Sequence, residues 1–265
     1  VGDVVPVLLV VGGGLFGSQA AAYARSKGTE AVVFDPGLDG AASPAAAGLF
    51  HERWASRRMG CHFRFAVPLL DRLYGIRTVT LRNDDGGCMT ALFVPPALIL
   101  ESDLVRQRVT AVGDGWLEAG GRRYDGWVYI AAGIWAGDFL PGLEVSGKAG
   151  AAFSFPGERQ GRIRPVRPNG QAIAFVRDAG STHFTDGTAV PDYTAEHDRQ
   201  TLCRAAEMGL TAAPLRRFWG RRPYTPGGPL FRRLASRTWL ATGGRKMGTV
   251  VGASFARRLV DDELR

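Results

Sequence analysis

Val7–Leu8–Leu9–Val10–Val11 runs straight into Gly12–Gly13–Gly14–Leu15–Phe16–Gly17, and this junction decides the fold. Five apolar residues without polar alternation predict a strand buried on both faces, as in a parallel sheet. From Leu15 to Lys27 the pattern turns helical and alanine-rich, with Gly28 placed to cap the C-terminus. Ala31–Val32–Val33–Phe34 predicts a second strand, which ends in Asp35–Pro36. Strand, glycine turn, helix, strand and acid make one βαβ unit.

Each glycine has a separate physical task. Gly12 allows the tight turn out of the strand, Gly14 lets backbone approach a pyrophosphate, and Gly17 lets the helix pack closely on the sheet. The helix start around Leu15 and Phe16 offers free N–H groups and partial positive charge to a diphosphate. Asp35 lies 23 residues after Gly12, at the end of the second strand, where a carboxylate accepts ribose hydroxyls. Pro36 follows it and no basic residue stands beside it, which argues against a 2′-phosphate. NADP is disfavoured; FAD and NAD both stay open on these residues alone.

A loop of small residues, Gly37 to Gly48, comes next, then a less regular stretch to Pro96. Strand signals return at Leu104–Val112, Trp116–Leu117 and Trp127–Ala131, with tight turns at Gly113–Asp114–Gly115 and Gly120–Gly121. Between Ala151 and Asp186, short strand-like segments alternate with turns at Pro156–Gly157, Pro168–Asn169–Gly170 and Asp178–Ala179–Gly180, which predicts an antiparallel sheet. Thr194–Met208 reads as a helix, followed by a loop rich in arginine, proline and glycine. A last strand at Trp239–Thr242 and a last helix from about Gly248 to Leu259 close the chain. The fold class is therefore α/β: a Rossmann-like cofactor domain (1–55, 100–148 and 236–265) with an inserted antiparallel-sheet substrate domain (56–99 and 149–235).

Composition limits the function classes. Lys and Arg outnumber Asp and Glu by 33 to 25, a net charge of +8 that is almost all arginine in scattered pairs. Scattered pairs do not build a nucleic-acid groove, although a positive field favours an anionic substrate or cofactor. Cys61, Cys88 and Cys203 are sparse and odd in number, which predicts a reducing, cytoplasmic setting. Neither they nor the four histidines show metal-ligand spacing, so no metal is expected. The apolar run Val4–Val11 is interrupted by Pro6 and far too short to span a membrane, and Val1–Gly2–Asp3 lacks the basic start of a leader.

Four segments, in order, resemble the FAD-dependent D-amino-acid oxidase and glycine/sarcosine oxidase family. They are Val10–Gly17, the loop Ala41–Ala42–Ser43–Pro44–Ala45–Ala46–Ala47–Gly48–Leu49, the strand end Val128–Tyr129–Ile130–Ala131–Ala132–Gly133–Ile134–Trp135–Ala136, and Gly220–Arg221–Arg222–Pro223–Tyr224 with Thr242–Gly243–Gly244–Arg245–Lys246–Met247–Gly248 behind it. The resemblance implies FAD. It would be held by Gly12, Gly14, Leu15, Phe16, Gly17, Asp35 and Pro36; by Ala42, Ser43, Ala46, Ala47, Gly48 and Leu49; and by Val109, Ala132, Gly133 and Trp135. At the C-terminal turn, Gly243, Gly244, Arg245, Lys246, Met247, Gly248 and Thr249 would complete the set. That turn would aim a second helix start at the flavin pyrimidine ring and favour its reduced anion.

The same resemblance assigns the chemistry. Arg222 of the Gly-x-Arg-Pro segment would pair with a substrate carboxylate, a role suited to a planar guanidinium. Lys246 stands where the family often places a basic residue over the flavin, and Tyr224 is within reach of a substrate. A hydride would pass from the carbon bearing the amine to flavin N5, and the imine would hydrolyse. The chain departs from the family between Leu49 and Val112, where little room remains for a helix before the adenine-contacting strand. A site walled by fewer elements would be open or closed by a second protein chain. The rival functions are accordingly a flavoprotein subunit or maturation partner within a complex, and an NAD-dependent enzyme on the same fold.

Overall fold

A computed structural model describes residues 7–54, 57–166 and 170–264. The Val1–Pro6 part of the N-terminal readings and the Pro168–Asn169 part of one predicted turn lie outside the described residues. The first half of the chain runs β1 (Leu8–Val11), α1 (Leu15–Ser26), β2 (Ala31–Phe34), β3 (Leu49–Phe50), α2 (Arg57–Tyr74), β4 (Arg77–Arg82), β5 (Cys88–Phe93) and α3 (Pro96–Ile99). It continues through β6 (Leu104–Val105), β7 (Val109–Gly113), β8 (Trp116–Ala119), β9 (Arg122–Asp125) and β10 (Trp127–Ile130). The second half adds β11 (Ser146–Pro156), β12 (Arg162–Val166), β13 (Gly170–Val176), β14 (Ser181–Thr185) and α4 (Ala195–Glu207). Last come β15 (Arg216–Tyr224), β16 (Leu230–Ala235), β17 (Thr238–Thr242) and α5 (Gly248–Arg258).

The first sheet has the order β16-β17-β10-β1-β2-β6, with β1 parallel to both β2 and β10 at its centre. Its central strand β1 is buried on both faces, which is why Leu8–Val11 shows no alternation. Leu8 and Val10 pack with Ala20 and Ala24 of α1 and Val250, Val251 and Phe255 of α5. Leu9 and Val11 pack on the other face with Leu117 and Ala119 of the three-stranded meander β7-β8-β9. Helices α1 and α5 lie close: a side chain at Gly252 would meet Gln19 Oε1 at 2.4 Å, and Gln19 Nε2 donates to Thr249 O at 3.0 Å.

The second sheet has eight strands, β15-β11-β14-β13-β12-β4-β5-β3. One face carries Ala151, Phe153, Phe155 and Phe184, which pack with Ala205 of α4 and with Met208 and Leu210 beyond it. The other face turns toward the first sheet. β11 pairs over nine positions with β15, from Ser146↔Tyr224 to Ser154↔Arg216. The segment that reads as an arginine-rich loop is thus a strand. Its arginines sit at an edge of the sheet, where the backbone pairs in full with β11 on one side and meets only an isolated bridge on the other.

The structure corrects two further expectations. The irregular stretch before Pro96 holds α2, β4 and β5. Pro68 inside α2 masked a helix whose Phe63, Ala66, Leu69 and Leu70 are buried in the core of the first sheet. The segment Leu104–Val112 is two short strands in different sheets, separated around Arg106–Arg108. Before the first of them, only the single turn α3 stands where the family helix would be.

Candidate functional site

A cavity of about 900 Å³ runs between the two sheets, from Asp35 to Arg222. This is at the upper end of the range for small-molecule sites, which suits an extended cofactor together with a substrate. At one end, Asp35 Oδ2 accepts the Gly13 N–H at 2.6 Å and Oδ1 accepts the Gly37 N–H at 2.7 Å. The carboxylate is thereby fixed in direction, with lone pairs left over for hydroxyl donors. Gly12 holds φ +102°, and a side chain there would stand 2.6 Å from Ala131 O. Gly17 has its own reason: a side chain would come within 1.9 Å of Gly12 O. It therefore packs helix on strand and does not reach the cavity wall.

Ser43 closes the next part of the wall. Its Oγ accepts the Leu15 N–H at 2.9 Å, and a side chain on Gly14 would meet that oxygen at 2.7 Å. Past it, the loop reaches Gly48, whose φ of +73° brings its α-carbon against Val94 O. The loop is pinned from behind by β15: Arg221 N donates to Gly40 O at 2.8 Å, and Ala41 bridges to Arg221. Gly220 makes the crossing feasible, since a side chain there would lie 2.6 Å from Ala41 O.

The C-terminal turn supplies the facing wall. Thr242 Oγ1 donates to Gly133 O at 2.8 Å, joining the ends of β17 and β10. Gly243 turns the chain at φ +80°, and Gly244, Arg245, Lys246, Met247, Gly248 and Thr249 line the cavity at the start of α5. Arg245 takes φ +50° without being glycine, held by its Nη2 donating to Thr225 O at 3.1 Å.

Arg222 enters the cavity from β15, and Lys246 is exposed into the same space. Arg222 Nη1 donates to Thr188 O at 3.2 Å. A side chain on Gly187 would lie 3.3 Å from Lys246 Nζ, so the two cations flank consecutive residues. That segment is held by Asp186, whose side chain is wholly buried. Its carboxylate accepts Thr188 N–H at 2.9 Å and Thr201 Oγ1–H at 3.0 Å and pairs with Arg204.

Of the residues singled out in sequence, Gly12, Gly14, Leu15, Phe16, Asp35, Pro36, Ala42, Ser43, Ala46, Ala47, Gly48, Leu49, Val109, Ala132, Gly133 and Trp135 meet on this cavity, as do Arg222 and the Gly244–Thr249 turn. Gly17, Gly243 and Tyr224 are not on its wall. The Tyr224 ring instead serves as a platform between Lys148, at 5.0 Å, and Arg245, at 5.3 Å. Sequence reasoning missed Arg53, Trp54, Arg108, Gln171, Ile173, Phe175 and Gly187, which also line the cavity. Only the register of the eight-stranded sheet brings the last four strand-borne or turn residues to one face, so no local signal marks them. Beneath Phe175, His183 is sealed between that ring and Phe218, and burial, with Arg177 nearby, pushes its pKa down to about 3.

No protein-family model matches the sequence, and no curated protein matches it by sequence. Solved structures do match the fold. Iminodiacetate oxidase from Chelativorans sp. BNC1 aligns with a TM-score of 0.73 at 16% identity, over 96% of this chain and 94% of that one. Glycine oxidase from Bacillus cereus ATCC 14579 aligns with a TM-score of 0.70 at 14% identity, over 98% of each chain. An FAD-dependent oxidoreductase from Pseudomonas aeruginosa aligns at 0.67 and 14% identity, over 98% and 92%. The chain therefore has the fold of these oxidoreductases: a parallel dinucleotide-type sheet joined to an antiparallel one.

Proposed function

We propose that this chain is an FAD-dependent oxidoreductase that oxidises the C–N bond of a small amine or amino acid bearing a carboxylate. One observation carries the reading: the glycine cradle at Gly12, Gly14 and Ser43 and the guanidinium of Arg222 lie on one continuous cavity. The residues present fit the cofactor. Gly12 has no space for a side chain, one on Gly14 would displace Ser43 Oγ, Asp35 retains free acceptor positions, and α5 begins at the cavity wall. Gly12, Gly14, Leu15 and Asp35 would hold the adenosine diphosphate, and the 42–49 loop with the 244–249 turn would hold the flavin. FAD bound there would supply the two-electron acceptor for amine oxidation.

The protein's own groups orient and select. Arg222 would fix the substrate carboxylate by paired charge-assisted hydrogen bonds, so the carbon bearing the amine is presented in one direction. Its Thr188 contact ties the guanidinium to the segment that follows β14, and Arg222 lines the cavity from there. The N–H groups at the start of α5, on the cavity wall, would offer partial positive charge to a bound flavin. Ile173 and Phe175 wall the space against water from the sheet side. The imine product is hydrolysed by water after oxidation.

The shared fold supports amine chemistry, since iminodiacetate oxidase and glycine oxidase are both built on it. Among the described residues, no helix is long and apolar enough to cross a membrane. We place the enzyme in the cytoplasm on its sparse cysteines and keep the division into cofactor and substrate domains read from sequence, except that α2 and β16 go with the first sheet, on which the one packs and in which the other pairs. The test is a visible absorption spectrum of the purified protein, followed by anaerobic mixing with amino and N-methyl amino acids. A yellow protein bleached by a carboxylate-bearing amine is expected; a colourless protein that binds NAD refutes the cofactor.

A further inference from the structure

Arg222 and Lys246 place two positive charges at one end of the cavity. Among the described residues neither forms an ion pair, and Lys246 has no hydrogen-bond partner. The nearest carboxylate, Asp186, is committed to Thr188, Thr201 and Arg204. Partial desolvation and the neighbouring Arg222 lower the Lys246 pKa, and the more distant pull of Asp186 does not offset them. A single carboxylate is fully served by the fork of one guanidinium, so the second cation is surplus to it.

We infer that the substrate carries two anionic groups, one seated on Arg222 and the other on Lys246: a dicarboxylic amine, or an amino acid with an acidic side chain. This rests on the amine-oxidation reading and narrows its substrate class. The Gly187–Thr188 segment sets the spacing, because Thr188 O fixes Arg222 while the missing side chain of Gly187 leaves Lys246 Nζ its place. The competing role for Lys246 is contact with the reduced cofactor alone, which gives no preference between singly and doubly charged ligands.

The experiment uses purified protein, with flavin content read from its visible absorption. It is titrated calorimetrically with succinate and with monomethyl succinate, neither of which has an amine to oxidise. Succinate is expected to bind at least about tenfold more tightly, the factor expected of one added charge-assisted hydrogen bond. Lys246→Met should collapse that gap by weakening succinate far more than the monoester, and Lys246→Arg should restore it. Lys246 is exposed, so neither variant threatens folding. Equal affinity for the two anions, a gap that survives Lys246→Met, or no binding of either anion at millimolar concentration overturns the inference. A flavin-free preparation that still shows the gap supports the anion pair and refutes the cofactor reading; a flavin-loaded one without it does the reverse.

Discussion

Asp186→Ala tests how the substrate end of the cavity is held. The side chain is completely buried, and its carboxylate serves Thr188 N–H, Thr201 Oγ1–H and the Arg204 guanidinium. Removing it leaves two donors unsatisfied and one cation without its partner. Breaking a buried pair by deleting one member costs about 3–5 kcal/mol. Arg204 keeps 30% of its side chain exposed and can turn toward water, so the lower end applies, about 3 kcal/mol. For a chain of this size that is a Tm fall of roughly 6–12 °C. Asp186→Asn keeps one acceptor, enough for Thr188 N–H on the Oδ1 side, but turns an NH2 toward Thr201 and Arg204, so it should cost less than alanine without being neutral. Urea and thermal unfolding measure the stability, and calorimetric titration of the still-folded variants with succinate measures the site. Anion affinity should fall in both, because Thr188 O is the Arg222 acceptor. An Asp186→Ala protein within about 1 kcal/mol of wild type, or a destabilised one with full anion affinity, refutes the reasoning.

Gly14→Val should abolish flavin retention, since its side chain would displace Ser43 Oγ; stoichiometric flavin in the purified variant would contradict the cradle. Asp35→Ala should weaken FAD by about 1–3 kcal/mol, measured by flavin titration of the apoprotein. Arg222→Ala should cost about 2–5 kcal/mol in kcat/KM for a carboxylate-bearing amine with flavin content intact, and Arg222→Lys should recover only part of it. The same loss from Arg221→Ala would reassign the role. His183 is neutral in the folded state well below the 6.5 at which it protonates when unfolded. Below that pH the unfolded chain binds the extra proton, so stability falls with acidification by about 1.4 kcal/mol per pH unit toward pH 3. Urea unfolding from pH 7 to 4.5 should show a flatter slope in His183→Phe, and identical slopes would exclude His183 as the cause.

The nucleotide half was legible because its signals are local. Leu8–Val11, Gly12–Gly17 and Asp35 sit within one βαβ unit, and each residue type answers a constraint imposed by near neighbours. The place of Arg222 on the cavity was legible through its Gly-x-Arg-Pro setting. The substrate half was not, because its wall is made by strand register. Phe175 and Ile173 face the cavity only because β13 pairs with β14 as it does, and nothing in their immediate sequence says so. Helix α2 was hidden by Pro68, and β15 by its arginines, which an edge strand tolerates and a central strand would not. Tyr224 misled for the opposite reason. Its neighbours match the motif, but Lys148 and Arg245 occupy its ring.

The crossing of Gly220 beneath Ala41 has no slack: an added methyl would sit 2.6 Å from both Ala41 O and Ala42 Cα. The loop that would clasp the cofactor and the strand that carries Arg222 consequently move as one mechanical part. Two ligands that each stabilise the same arrangement of a shared part have a common coupling free energy, and that energy is reciprocal. Whatever factor FAD contributes to anion affinity at Arg222, the anion must return to FAD affinity. An anion seated at Arg222 would then slow the loss of a flavin held by the loop, and a flavin would slow the loss of the anion by the same factor in affinity.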